Sequence, residues 1–375
     1  MDIYQLYGRL KRAYASVSRN LPAGYALPPV NLVIELTYRC NLKCKMCYQR
    51  NQDSPNIISR NKDNELSLDE IKRIIDQTLP ACLIIFSGGE PFCRKDIFDI
   101  LEYATRKRKC HMVTNGVMMS PDQARRLAKL DLLSVGFSID GNRDLHDAIR
   151  GVPGTFDRLV HNVQAFREQR QQNGKSNPVI NFKTVISPDN AGRLLDIYKL
   201  AQESGADYLT FQIENQSLDL SALQLKENFH SYSRPPQPFK NFDAARLRAN
   251  LEELSHLNGA HHPKVRFIPE FSIPEVYYYY TNQLDVKEYS CDAIWTGMNI
   301  SPYGDVFPCF NYHIGNIRQL SLVEAWNHAR FRGFRQKVRQ GLFASCMGCC
   351  DLEGNPRYTE YICREYRACP VVATD

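Results

Sequence analysis

The chain has 375 residues, of which 43% are hydrophobic and 23% charged. This is the composition of a folded globular protein, and no apolar run is long enough to span a bilayer. The net charge of +6, from 47 basic and 41 acidic residues, lacks the arginine-rich tract of a nucleic-acid binder. The polar, tyrosine-rich N-terminus does not read as a signal peptide, so a cytoplasmic location is expected. Thirteen cysteines, an odd number, point away from a disulfide framework and toward metal or cluster ligation.

In chain order, residues 1–29 read as a helical extension. Apolar residues at 3, 6, 7, 10 and 14 beside Arg9, Lys11 and Arg12 fit a helix packed on the outside of the fold. A surface contact of residues 3–14 with a membrane is the alternative. Residues 30–215 then alternate strand-like and helix-like runs. The strands are Leu32–Leu36, Cys82–Phe86, His111–Thr114, Leu133–Ile139, Val179–Ile186 and Tyr208–Ile213. Ser67 and Glu70 form a capping box, and Ser120-Pro121 opens a helix over Ala124–Leu130. Thr155 precedes Phe156–Phe166, and Ser187-Pro188 precedes Ala191–Ala201.

Near-continuous apolar strands alternating with helices predict parallel βα units. Six are too few to close an eight-stranded barrel, so the fold class is α/β, a partial (β/α)6 TIM-like barrel. Its site belongs at the carboxyl ends of the strands. Residues 216–290 read as a linker or substrate-side helical region, with a helix over Ala244–Leu257. Residues 291–375 form a small C-terminal cysteine-rich extension, beginning with a hairpin that turns at Pro302-Tyr303-Gly304.

Two features carry chemistry. Cys40, Cys44 and Cys47 follow the first strand in a C-x3-C-x2-C spacing. Three thiolates can hold three corners of a [4Fe–4S] cube and leave one iron open to a ligand; half of a zinc site is the rival reading. The second strand ends in Gly88-Gly89-Glu90-Pro91, where two glycines permit close backbone approach and Glu90 offers a carboxylate to an ammonium group.

The cysteine trio, a βα unit and then Gly-Gly-Glu-Pro closely resemble the radical S-adenosylmethionine (SAM) superfamily over residues 30–215. The resemblance implies that SAM chelates the open iron and that Gly88, Gly89 and Glu90 hold its ammonium group. Reduction of the cluster would then yield methionine and a 5′-deoxyadenosyl radical that abstracts hydrogen from substrate. Val135–Gly141 is similar to the ribose-contacting strand, with Ser138 and Asp140 as hydroxyl partners. Asn115, in Thr114-Asn115-Gly116, is a further candidate contact, and Lys183 a candidate for the SAM carboxylate. No glycine-containing adenine motif stands near the fifth strand.

Cys291, Cys309, Cys346 and Cys349 resemble the cluster-binding extension of SPASM and twitch enzymes. The sequence departs from the two-cluster pattern, because Cys350 follows Cys349 at once and the next cysteines are Cys363 and Cys369. One auxiliary [4Fe–4S] cluster on those four cysteines is expected, with a structural zinc as the rival; Cys350, Cys363 or Cys369 could instead replace one of the four or belong to a second cluster. Cys82, Cys93 and Cys110 are expected to pack as small apolar groups.

The leading functional expectation is a radical SAM oxidoreductase acting on a small molecule: a sugar, a nucleoside-like metabolite, or a lipid or glycan precursor. Its electron donor would be flavodoxin or ferredoxin. A peptide- or protein-modifying maturase is the alternative, weakened by the roughly thirty residues before the first strand, too few for a peptide-recognition domain. A non-catalytic iron–sulfur or zinc scaffold is the reading from another class. Arg150 faces either the substrate cavity or a structural ion pair. The run Tyr277–Tyr280 either lines a pocket or packs as part of a helix.

Overall fold

The computed structural model describes residues 3–47, 64–215, 239, 242–257, 263–309 and 312–368, built on one ten-stranded sheet. β1 (Asn31–Glu35), β2 (Leu83–Ser87), β3 (Cys110–Thr114), β4 (Ser134–Ser138), β5 (Val179–Ile186) and β6 (Tyr208–Ile213) lie side by side in chain order, all parallel. Leu32, Ile34, Ile84, Phe86, Met112 and Phe137 are fully buried, as expected for a parallel sheet covered on both faces. The sheet stays open, in keeping with a partial barrel.

It is wider than the six strands read from the sequence. β7 (Lys264–Ile268) pairs parallel to β6, drawn from the region expected to be linker. Past β8 (Tyr289–Cys291) in the chain, β9 (Gly297–Ile300) pairs parallel to β1 on the opposite edge. β10 (Asp305–Phe307) and β11 (Gly315–Asn316) continue antiparallel from β9. The expected hairpin is therefore an extension of the barrel sheet. A separate pair joins β8 to β12 (Leu352–Gly354).

Local chemistry sets the helix starts. Ser67 with Glu70 and Ser120 with Gln123 form reciprocal capping boxes on helices Leu68–Asp76 and Pro121–Lys129. Two expected starts move. Gly154, left-handed, precedes helix Thr155–Gln172, so Thr155 is its first residue and its hydroxyl donates to Asp147 at 2.6 Å. After Ser187-Pro188 a 3-10 turn, Ala191–Arg193, precedes helix Leu194–Glu203. An additional short helix, Arg143–Arg150, is capped by Asn142 and ended by Gly151 in the left-handed region.

The N-terminal helix Ile3–Arg19 turns its cations toward the chain's own C-terminal part. Lys11 pairs with Asp351 at 3.8 Å, and Arg12 with Glu270 and Glu353 at 3.4 and 3.5 Å. Arg19 pairs with Asp292 and donates to the carbonyl of Cys291. Among the described residues no helix is long and apolar enough to cross a membrane.

Candidate active site

At the carboxyl ends of β1–β6 lies a cavity of about 300 Å³. Its wall holds Cys40, Cys44 and Cys47 from the loop after β1, Gly88 and Gly89 from β2, and Asn115 after β3. Ser138 of β4, Lys183 of β5 and Glu214 after β6 complete the ring, with Arg150 and Cys350. Of the residues expected around the SAM site, only Glu90 and Asp140 are absent from the lining.

The glycines bring two backbones together. A Cβ on Gly88 would collide with the Thr37 carbonyl, and one on Gly89 with the Arg39 carbonyl. This approach lets Gly89 N–H donate to Thr37 O at 2.6 Å and Glu90 N–H to Arg39 O at 2.9 Å. The cysteine loop is thereby stitched to the end of β2. Glu65, buried beneath the loop, receives Arg39 at 3.0 Å and the Thr37 hydroxyl.

Glu90 is fully buried. Its carboxylate accepts the Asn115 N–H at 2.7 Å, the Thr114 hydroxyl at 2.8 Å and the Phe92 N–H at 3.0 Å. Burial raises its pKa, and these hydrogen bonds partly offset the rise. The side chain therefore ties β2 to β3, while the two glycines face the cavity. Asn115 continues the tie: its amide donates to Asn41 at 2.8 Å and lies 3.9 Å from the Cys40 sulfur.

Asp140 is likewise fully buried and faces Arg150 Nε at 2.6 Å. The neighbouring Ser138 does reach the cavity, beside Lys183 in the sheet register. Gly136 leaves room for the Lys183 stem, whose Cε a Cβ there would meet at 3.0 Å. Burial lowers the Lys183 ammonium to about 8.

Sequence reasoning missed two lining groups. Cys350 comes from the C-terminal extension and has Cys349 and Asp351 within 4.8 Å. Glu214 has its Oε2 buried without a partner among the described residues, and burial raises its carboxyl to about 7, with Asp189 adding to the rise. The only sequence signal for Glu214 was its place at a strand's carboxyl end. The tyrosine run packs as a helix: Tyr279 donates to Glu214 O and Tyr280 to Ile186 O, both at 2.7 Å. Cys82 and Cys110 are buried in the core.

The donor sets fit iron–sulfur clusters. A tetrahedral zinc at its usual bond length draws its sulfurs to about 3.8 Å apart. Among the described residues, the sole group of three metal-binding side chains within 4.8 Å of one another is Cys349, Cys350 and Asp351. Cys40, Cys44 and Cys47 line one cavity, and three thiols there are the donor set that leaves a four-iron cluster one open corner. Cys291 feels Cys346 and Cys309 electrostatically, and burial pushes the Cys346 thiol up to about 12. Coordination offsets that cost by stabilising the thiolate. Cys363 lies apart, 3.9 Å from the Ser272 hydroxyl; Cys369 is outside the described residues.

An open α/β sheet with three cysteines and a paired-glycine strand end at one mouth is a layout in which a cluster and SAM would meet. Residues 34–214 match the radical SAM superfamily and residues 291–350 the SPASM iron–sulfur cluster-binding domain. The chain belongs to the radical SAM superfamily, with a SPASM domain.

The chain is 27% identical to the AdoMet-dependent heme synthase of Methanosarcina barkeri over 321 residues, 80% of this chain and 83% of that protein. It is 27% identical to the mycofactocin maturase MftC of Mycolicibacterium smegmatis over 331 residues, 85% of this chain and 75% of the maturase. It spans less than half the length of the first curated relatives it matches, 44% and 43%. The fold is that of anSMEcpe with bound AdoMet, with a TM-score of 0.60, 19% identity and coverage of 91% of this chain and 93% of that one.

Superfamily membership brings a [4Fe–4S] cluster and SAM, and the SPASM domain brings auxiliary cluster binding. When bound, cluster and SAM together supply an electron and a 5′-deoxyadenosyl radical. Cys40, Cys44 and Cys47 are the residues that would hold the cluster, and Gly88 and Gly89, on the same cavity wall, those that would face SAM.

Proposed function

We propose that the enzyme abstracts hydrogen from a small molecule held between the SAM site and the C-terminal extension. One auxiliary [4Fe–4S] cluster, on Cys291, Cys309, Cys346 and Cys349, takes up the second electron. The substrate thus loses a hydrogen atom, an electron and a proton or neutral fragment, for a net oxidation. The observation that carries this reading is Cys350, which extends the cluster domain into the cavity lined by the trio. In this reading Gly88, Gly89, Asn115, Ser138 and Lys183 contact SAM, while Glu90 and Asp140 act from behind that layer. A flavodoxin or ferredoxin supplies electrons.

The heme synthase relative moves the substrate class from sugars and lipid precursors toward iron porphyrins. A second reading, peptide maturation, rests on the alignment with the mycofactocin maturase, which covers the larger share of this chain.

The test uses anaerobically reconstituted full chain, dithionite, SAM and either iron coproporphyrin III or a panel of short peptides. About eight irons per chain are expected, with 5′-deoxyadenosine formed and a mass change confined to the porphyrin. A mass change confined to a peptide overturns the first reading in favour of the second. About twelve irons would overturn the single auxiliary cluster.

A further inference from the structure

Arg150 is held at three points. Its Nε faces Asp140 Oδ2 at 2.6 Å. The N–H points off the line to that oxygen, so the contact is an ion pair rather than an aligned hydrogen bond. Its Nη1 donates to the Cys44 sulfur at 3.6 Å. Its carbonyl, at the C-terminal end of helix Arg143–Arg150, accepts the Lys43 N–H at 2.9 Å, and the Ile149 carbonyl accepts that of Lys45 at the same distance. The orphan carbonyls of a helix end are thus capped by the cysteine loop itself. Gly151 makes this docking possible: its φ of 71° is left-handed, and a Cβ there would collide with the Lys43 carbonyl.

The chain Asp140–Arg150–Cys44 therefore runs from a fully buried carboxylate to one of the three cluster thiols. Burial raises the Asp140 carboxyl and the Arg150 charge opposes that rise. Arginine suits the place because its planar fork spans both partners and keeps its charge when desolvated.

We propose that Arg150 is a positioning residue for the core cluster. It donates a hydrogen bond to the Cys44 thiolate and is aimed by Asp140, so that Asp140 serves the cluster rather than the ribose of SAM. The inference rests on the reading of Cys44 as a cluster ligand. Hydrogen bonds to ligating sulfurs set iron–sulfur potentials. One-electron reduction adds negative charge to the cluster. A cationic donor on its thiolate stabilises the reduced form more than the oxidised one and moves the midpoint potential up.

The experiment is an EPR-monitored redox titration of the reconstituted full chain, following the signal that changes when SAM is added. Arg150→Met should shift that midpoint to more negative values with iron content preserved. Asp140→Asn, which keeps the guanidinium but loosens its aim, should shift it the same way by less. Arg150→Lys reaches only one of the two partners and should fall between wild type and Arg150→Met. Unmoved midpoints in iron-replete variants overturn the proposal, since an arginine that only braces the fold would change melting temperature and leave the potential alone. Should Arg150→Met fail to take up iron, Asp140→Asn and Arg150→Lys decide by the same criterion. Iron content and an EPR signal that survive Cys44→Ala unchanged from wild type overturn the ligand reading instead, which separates the two failures.

Discussion

The two sets of cysteines are built in opposite ways. Cys40, Cys44 and Cys47 share one loop of eight residues, braced from below by Gly89 N–H and Glu90 N–H and from the side by the carbonyls of Ile149 and Arg150. Cys291 ends β8, Cys309 follows β10, Cys346 sits in the 3-10 turn Ala344–Gly348 and Cys349 caps that turn. The segments that carry them are held by tertiary contacts: β9 joins β1, β8 pairs with β12, and the N-terminal helix pairs through Arg19 with Asp292 and through Lys11 with Asp351. One site is a local motif resting on the barrel. The other is a product of tertiary structure, so its assembly depends on contacts far from its ligands.

The largest effect should follow from the local site. Replacing Cys40, Cys44 and Cys47 by alanine together should cut iron from about eight to about four per chain and abolish 5′-deoxyadenosine formation. Iron counting and chromatography of the quenched reaction check both. Residual SAM cleavage would break the assignment of SAM to the trio's open iron. The converse variant, Cys346→Ala with Cys349→Ala, should also leave about four irons but keep 5′-deoxyadenosine formation within a few-fold of wild type, while product formation is lost. Loss of SAM cleavage there would show that the two sites are not separable.

A smaller effect should follow from the stitch beneath the loop. Gly89→Ala puts a methyl group against the Arg39 carbonyl, which cannot retreat while Arg39 holds Glu65 and the Cys93 carbonyl. Overpacking of this kind costs about 1–3 kcal/mol. Slower iron retention at the core site and a lower melting temperature are expected, with the auxiliary site's iron unchanged. A melt identical to wild type would show that the loop can yield.

The same contrast explains what could be read in advance. The trio, the Gly-Gly-Glu strand end and the six strands of the core were legible because each is a short-range pattern: fixed spacing, apolar runs, or a Ser–Glu capping pair. β7 was not, because Lys264 and Arg266 break its apolar run and its place depends on pairing with β6. The parallel pairing of β9 with β1 joins segments more than 260 residues apart, which no local signal encodes. Within the site, sequence identified residue types but not their directions. Glu90 and Asp140 stand where carboxylates were expected, yet one is enclosed by three donors and the other faces Arg150. Cys350 reaches the cavity through the tertiary fold alone.

The smallest effect concerns a clamp between the two regions. Arg318, after β11, donates to Glu70 at 2.7 Å, and Glu70 also accepts the Ser67 N–H at 2.8 Å. The Arg318 hydrogen bond, reinforced by those of Ser67, depresses the Glu70 carboxyl from 4.5 to about 2. A depressed carboxyl contributes stability that is fully present above its ordinary pKa and fades as pH falls toward the folded value. The window is therefore pH 4.5 down to about 2. The pair lies near the surface, so solvent screening limits it to about 0.5–1 kcal/mol. Glu70→Gln should lower the melting temperature slightly at pH 7, and the gap from wild type should narrow as melts are repeated toward pH 3. A gap that stays constant across that window would mean that Glu70 acts through the shape of its cap and not its charge. The extension would then be held to the core by its sheet pairing rather than by this ion pair.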